Sequence, residues 1–155
     1  LLAVSYAEWR KKWRIADLAL LFCLTYHGLG LVQHERAQKI ALATLHQQNL
    51  KIETLRVMPT LSNLVLWNVS AKVGDKLHVM QIHVPLFASG QIYAGATLPA
   101  ISKNEALKLA RNAEEKAWIT TFYWFCDDLV TLTTDDAPFL GDGRYIADPN
   151  APLPM

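Results

Sequence analysis

Residues 50–58 read Leu50-Lys51-Ile52-Glu53-Thr54-Leu55-Arg56-Val57-Met58, and there the chain changes from a helical to an extended period. Alternation puts Leu50, Ile52, Thr54, Arg56 and Met58 on one side and Lys51, Glu53, Leu55 and Val57 on the other. Each side mixes apolar and polar residues, so the pattern establishes a strand but leaves its buried face open. Pro59, which has no amide proton to donate, stops the run. Residues 64–73 form a second extended run, Gly74-Asp75 interrupts it, and residues 77–86 form a third. Residues 72–76 therefore read as a hairpin connection, and residues 92–98 as a fourth strand. The expected product is an antiparallel meander.

Helical patterns flank this meander. From Gln33 onward Ala37, Ile40, Ala41, Thr44 and Leu45 share one face, while Arg36, Gln38, Lys39, His46 and Gln47 take the other, with an end expected near Asn49. Downstream, Ser102-Lys103-Asn104-Glu105 fits a capping box, in which the serine oxygen and the glutamate satisfy otherwise orphaned amides. The helix it opens is expected to carry a small-residue stripe, Ala106, Ala110, Ala113 and Ala117, and then an apolar stripe of Trp118, Phe122, Phe125 and Leu129. Asp127 and Asp128 belong in or beyond its last turn, because negative charge opposes the dipole at a helix C-terminus. A short strand is expected over 129–133. The fold class is α+β: a long N-terminal helix, an antiparallel sheet of about three to five strands, and a second helix packed on the sheet.

Residues 15–148 are expected to form one α+β domain, with 1–14 the end of an upstream apolar or juxtamembrane segment and 149–155 a proline-rich tail. Residues 15–32, IADLALLFCLTYHGLGLV, are close to the shortest stretch that crosses a bilayer. Asp17 and His27 lie within it, and Gly28 and Gly30 weaken it as a helix, so a membrane span and a buried core helix both remain open. Just before it, Arg10, Lys11, Lys12 and Arg14 alternate with Trp9 and Trp13, a mixture suited to lipid headgroups and equally to the solvated first turn of a soluble helix. The basic run follows the apolar start of the chain, Leu1 to Ala7, whereas a signal peptide has its positive segment first, so no signal peptide is read.

Composition points the same way. Apolar residues make up 52% and charged residues 19%, against about 25% charged in ordinary soluble domains, which leans towards membrane association or a missing partner. The net charge of +1 creates no broad positive field, so nucleic acid is not an expected partner. Cys23 and Cys126 sit in apolar runs and read as small core residues.

A search for reactive constellations finds neither GxSxG, nor a phosphate-cradling glycine loop, nor HExxH, nor CxxC. His27 and His34 share a helical face with Cys23 and Gln38, yet lack an acidic partner to close a metal site. His78 and His83 should point to opposite faces of one strand, and His46 reads as a solvated helix end. Asp127 with Asp128, and Asp135 with Asp136, diverge as neighbours and read as loop carboxylates rather than acid–base pairs. In Gly141-Asp142-Gly143-Arg144-Tyr145, Asp142 is expected to organise turn amides and Arg144 to pair with a helix-end carboxylate. No catalytic, cofactor-binding or metal-binding residue is assigned.

Residues 56–69, RVMPTLSNLVLWNV, resemble a segment of the membrane-bound metal-dependent hydrolases, also described as LexA-binding inner-membrane hydrolases, that reads P-T-x-x-N-x-x-x-W before a strand. Further residues fit that family in order: Tyr26, His34, Arg36 and Ala37, then Trp124, Phe125, Asp127 and Asp128, then Asp142-Gly143-Arg144-Tyr145. The resemblance runs from about Arg14 to Tyr145 and implies a bacterial inner-membrane protein with a divalent metal. The histidine- and aspartate-rich strings that the family is expected to use, resembling HRGxTHS and DxDH, do not occur here. By that resemblance the chain is a C-terminal accessory domain whose partner is the membrane portion of the same polypeptide, with no cofactor of its own. That reading expects residues 59–67 and 142–145 to meet on one surface. The alternatives are a non-catalytic scaffolding domain and a small ligand-binding α+β domain. Without the family, residues 59–67 read as a corner: Pro59 ends a strand, Thr60, Ser62 and Asn63 cap local backbone, and Trp67 anchors the next strand.

Overall fold

The computed structural model describes residue 5 and residues 13–61, 63–132 and 140–146. The tail over 149–155, the Trp9-to-Lys12 run, and Asp135 and Asp136 lie outside them. In chain order the elements are α1 (Trp13–Gln47), β1 (Thr54–Pro59), β2 (Leu66–Val73), β3 (Lys76–His83), β4 (Gln91–Pro99), α2 (Lys103–Leu109), α3 (Ala113–Phe125), β5 (Val130–Leu132) and β6 (Leu140–Asp142). Strands β1 to β4 form an antiparallel sheet in sequence order, and β5 and β6 form a separate two-stranded ribbon. The α+β class expected from the sequence is the observed one.

Register resolves the face that alternation left open. Val57 pairs with Val69 and Pro59 with Trp67, whereas Arg56 pairs with Ser70. Directly paired residues of an antiparallel ladder share a face. Leu55, Val57, Trp67, Val69 and Ala71 therefore look towards α1, where they pack with Ala37, Ala41 and Leu45 and with Met80, Ile82 and Val84 of the β3 side. Arg56 and Ser70 belong to the opposite face, which buries Leu77 and Val79 against Leu129. The sheet is thus covered by a helix on one side and by the C-terminal part of the chain on the other. The expected α1 face is the buried one, and the helix stops as expected: Asn49 takes a left-handed conformation (φ 54°), and the Leu50 amide donates to the Leu45 carbonyl.

Two expectations need correction. Gly28 and Gly30 do not interrupt α1, which runs unbroken for 35 residues. A glycine costs a helix about 1 kcal/mol relative to alanine but leaves the backbone hydrogen-bond ladder intact. The helix opened by Ser102 is, in turn, two helices. The capping box forms as read, but Ala110 has extended backbone (ψ 131°), and Asn112 starts a new helix by accepting from the Glu115 amide. Glu115 reaches back to the Arg111 amide at 2.7 Å, so side chains at both ends of this turn outcompete continuation. The break rotates the second half. Tyr123 and Cys126 turn inward with Ile101, Ala106 and Val130, while Trp118 and Phe125 of the expected stripe are exposed and Ala113 and Ala117 form no buried stripe. This helical pair rests on the β5–β6 ribbon, which the Thr131 hydroxyl joins to the end of β4 through a bond to the Pro99 carbonyl at 2.7 Å.

The first half of α1 stands clear of the rest. Leu18, Leu20, Leu21, Phe22, Leu24, Leu31 and Val32 are all exposed, and none of the 18-residue apolar window of this helix is buried. Among the described residues, none of this window is buried against another element.

Because the Asn112 side chain caps the helix that restarts after Ala110, Asn112→Ala is expected to destabilise the fold by about 1 kcal/mol. Urea unfolding followed by circular dichroism checks it; an unchanged midpoint would mean that the break is held by packing.

Candidate functional site

Two constellations gather the residues that the sequence singled out. The first lies where α1 reaches the sheet. Gln33, expected on no buried face, is almost fully buried; its Nε2 donates to the Val84 carbonyl at 2.6 Å and the Leu64 carbonyl at 3.3 Å. Arg36 donates through Nη1 to Gln33 Oε1 at 2.5 Å and to the Pro85 carbonyl at 2.8 Å, and through Nη2 to the Ala88 carbonyl. These side chains tie α1 to the β1–β2 and β3–β4 connections.

The corner over 59–67 is built as its residues suggest. Thr60 donates through its hydroxyl to the Leu66 carbonyl at 3.1 Å, and Asn63 Oδ1 accepts from the Val65 and Leu66 amides at 2.7 and 3.1 Å. Trp67 donates from its indole to the Leu64 carbonyl at 3.1 Å, and its ring meets the His34 ring edge-on, with centroids 5.5 Å apart. Between this corner and α1 lies an open crevice of about 350 Å³, bordered by Tyr26, His27, Gly30 and His34 on the helix and Pro59, Asn63 and Trp67 opposite. Its lining is mainly apolar. The His27 ring is engaged through Nδ1 with the Cys23 carbonyl at 2.7 Å. Among the described residues no three His, Cys, Asp or Glu side chains come together as a metal site. The divalent metal implied by the resemblance therefore has no donor set in this crevice: the histidines are there and the carboxylates are not.

The second constellation occupies the other sheet face. Arg56 holds Asp127 in a two-pronged pair, Nε to Oδ2 at 2.9 Å and Nη2 to Oδ1 at 2.9 Å. Arg144 lies 3.8 Å from the same carboxylate and clamps Asp142 through Nε at 3.0 Å and Nη2 at 2.6 Å. Its guanidinium also sits over the Phe125 ring, 4.7 Å from the centroid. Asp142 Oδ1 accepts from the Arg144 amide at 3.0 Å, so the turn is organised as the sequence suggested, and Arg144 does reach the helix-end carboxylate. Asp127 and Asp128 lie just past α3 with left-handed backbone (φ 52° and 61°). Ser70 fixes the cluster to the sheet by donating to the Gly143 carbonyl at 2.7 Å. A β-carbon at Gly143 would overlap Leu77 Cδ2, which is why this turn needs glycine.

Charge compensation dominates this cluster. Hydrogen bonding to Arg56, reinforced by the charges of Arg56 and Arg144, lowers the Asp127 pKa, and hydrogen bonding to Asp142 raises that of Arg144. Burial, with Asp142 nearby, pushes the Cys126 thiol up to about 12, so it is protonated and a poor nucleophile. Asp127 and Asp142 are each committed to an arginine, which suits a structural clasp better than acid–base work. The two constellations do not share a surface, because residues 59–67 face α1 and residues 142–145 lie on the opposite face. Burial lowers the His78 pKa, with Lys76 adding to the effect, and its buried Nε2 has no partner among the described residues. His78 faces α1, away from His83, and His46 is exposed at the helix end. Scans against models of known families, curated proteins and solved structures return no match.

The sign of the pH effect follows from the lowered Asp127 pKa. Its pairing with Arg56 stabilises the fold above the unfolded value of about 3.9 and is lost as pH falls through the lower folded value. The stability gap between the native protein and Arg56→Met is therefore expected to be largest near neutrality and to close below about pH 4, as read by denaturant midpoints across pH. A gap independent of pH would assign the role of Arg56 to packing.

Gln33→Leu is expected to leave the Val84 carbonyl unpaired, while the Leu64 carbonyl keeps the Trp67 indole, at a cost of about 1–3 kcal/mol. Thermal unfolding of the purified chain reads this, and a neutral result would show that water replaces the amide.

Proposed function

We propose that this chain is the membrane-anchored, non-catalytic accessory part of an inner-membrane hydrolase of the metal-dependent type, held in the bilayer by residues 15–32. The observation that carries the reading is the first half of α1. It is long and apolar enough to cross a membrane and has none of its window buried. Exposing that many leucines to water costs about 25 cal/mol for each Å² of apolar surface, whereas the hydrocarbon core of a bilayer accepts them. The accessory role loses one expected feature, since residues 59–67 and 142–145 do not meet on one surface, and keeps one support: Arg56, Asp127, Asp142 and Arg144, four of the residues that carry the resemblance, converge on one clasp. The metal chemistry of such a protein would lie in another part of it, since His27 and His34 lack carboxylate partners.

A scaffolding role is the second reading, favoured by Trp118 (68% exposed) and Trp124 (80% exposed), which are left uncovered among the described residues.

Expressed in bacteria, the chain is expected to sediment with membranes, to resist alkaline carbonate and to dissolve only in detergent. Leu20→Lys combined with Leu24→Lys should release it, as each lysine near a span centre costs about 2.5–3.5 kcal/mol of insertion. Recovery of the native chain as a folded soluble protein would defeat the anchor. The detergent-solubilised chain is expected to show no metal-stimulated hydrolysis of phosphate or carboxylate esters. Turnover abolished by His34→Ala would transfer the chemistry to the crevice.

A further inference from the structure

Two connections carry apolar side chains that, among the described residues, cover nothing. Leu61, after β1, is 98% exposed, and Phe87, after β3, is 100% exposed, with Leu86 beside it also exposed. Antiparallel order places the β1–β2 and β3–β4 connections at the same end of the sheet. It is the end at which α1 leaves the fold, because Gln33 and Arg36 bind carbonyls of both connections. The two tips therefore flank the helix where its uncovered apolar stretch begins. We propose that these tips dock on the surface of the bilayer that holds residues 15–32, with Leu61, Leu86 and Phe87 at the headgroup–acyl boundary. This rests on the anchored reading above.

Depth along the helix supports the assignment. The crevice brings Pro59, Thr60, Asn63 and Leu64 against Tyr26, His27 and Gly30, one to two turns inside Val32. Six residues of helix span about 9 Å, and the headgroup layer occupies about 5–8 Å on each side of the hydrocarbon core. With residue 32 near the end of the apolar stretch, the corner is level with headgroups and upper acyl chains. Its backbone suits a layer poor in water. Thr60 and Asn63 close the polar groups of one connection, and Gln33 and Arg36 cover carbonyls of Leu64, Val84, Pro85 and Ala88. The tips sit on separate loops that share one point of contact with the helix, Gln33, which holds a carbonyl of each, rather than forming a continuous groove. That is the shape of a contact with a plane, not with a second helix.

The test uses the full chain with Cys23→Ser, retaining Cys126, whose buried thiol resists labelling and reports folding by staying protected. Leu61→Cys, Phe87→Cys, Asp75→Cys at the far end of the sheet, and Leu20→Cys within the anchor each carry an environment-sensitive NBD fluorophore. The variants are reconstituted in phosphatidylethanolamine–phosphatidylglycerol vesicles with or without lipid bearing a headgroup-level nitroxide. Blue-shifted emission and its loss with the nitroxide lipid at 61 and 87, with neither at 75, is the expected result. Emission at 61 and 87 as in water, while a deeper nitroxide quenches position 20, overturns the docking and leaves the anchor standing. A blue shift at 61 and 87 without quenching also overturns it, because protein then covers the tips. Absence of quenching at 20 removes the anchor and the docking together.

Discussion

A buried amide in the middle of a mostly apolar helix is the constraint on which the arrangement depends. Gln33 has Leu31 and Val32 on one side and the core residues Ala37 and Ala41 on the other, so its side chain enters the fold without water to satisfy it. A buried polar group without a partner costs more than a made hydrogen bond contributes, so the helix must sit where two carbonyls can receive the amide. The Leu64 and Val84 carbonyls are those partners, one from each connection at the same end of the sheet. Arg36, one turn on, extends the grip to residues 85–88. Together they divide α1 into a half that packs on β-strands and a half that, among the described residues, meets only the corner at Pro59 to Trp67 and is otherwise exposed.

The opposite face of the sheet is closed by charge rather than by a helix stripe. The left-handed residues after α3 turn Asp127 towards Arg56, and the Asp142–Arg144 turn closes beside it, anchored by Ser70 and by the close fit of Gly143 on Leu77. Exposed ion pairs contribute little one at a time. Here two-pronged geometry, a shared carboxylate and an aromatic ring under Arg144 give the cluster a defined shape, and with it a fixed position for the C-terminal segment.

Strand order, hairpin position, the Ser102 cap and the Ala37–Ala41–Leu45 face were all legible, because each follows from a short-range period or from a residue contacting backbone within a few positions. The Asn112 cap was equally local, an asparagine three residues before Glu115, but the alanine and aromatic stripes running across it suggested one continuous helix. Of the candidate site, the corner at Pro59 and the Asp142–Arg144 turn were readable for the same reason. The partnership of Arg56 with Asp127, 71 positions apart, was not, since no pattern in either segment specifies the other.

By itself the sequence determined an α+β chain with an antiparallel meander, a cap-initiated helical region after it, and an apolar stretch able to lie in a membrane. Only the tertiary structure decided that Leu55 and Val57, not Arg56, face α1, that Gln33 belongs inside, and that the stretch before it is uncovered. Periodicity records which residues can share a face. Which face is buried, and whether an apolar helix has a partner, depends on elements brought together from distant parts of the chain.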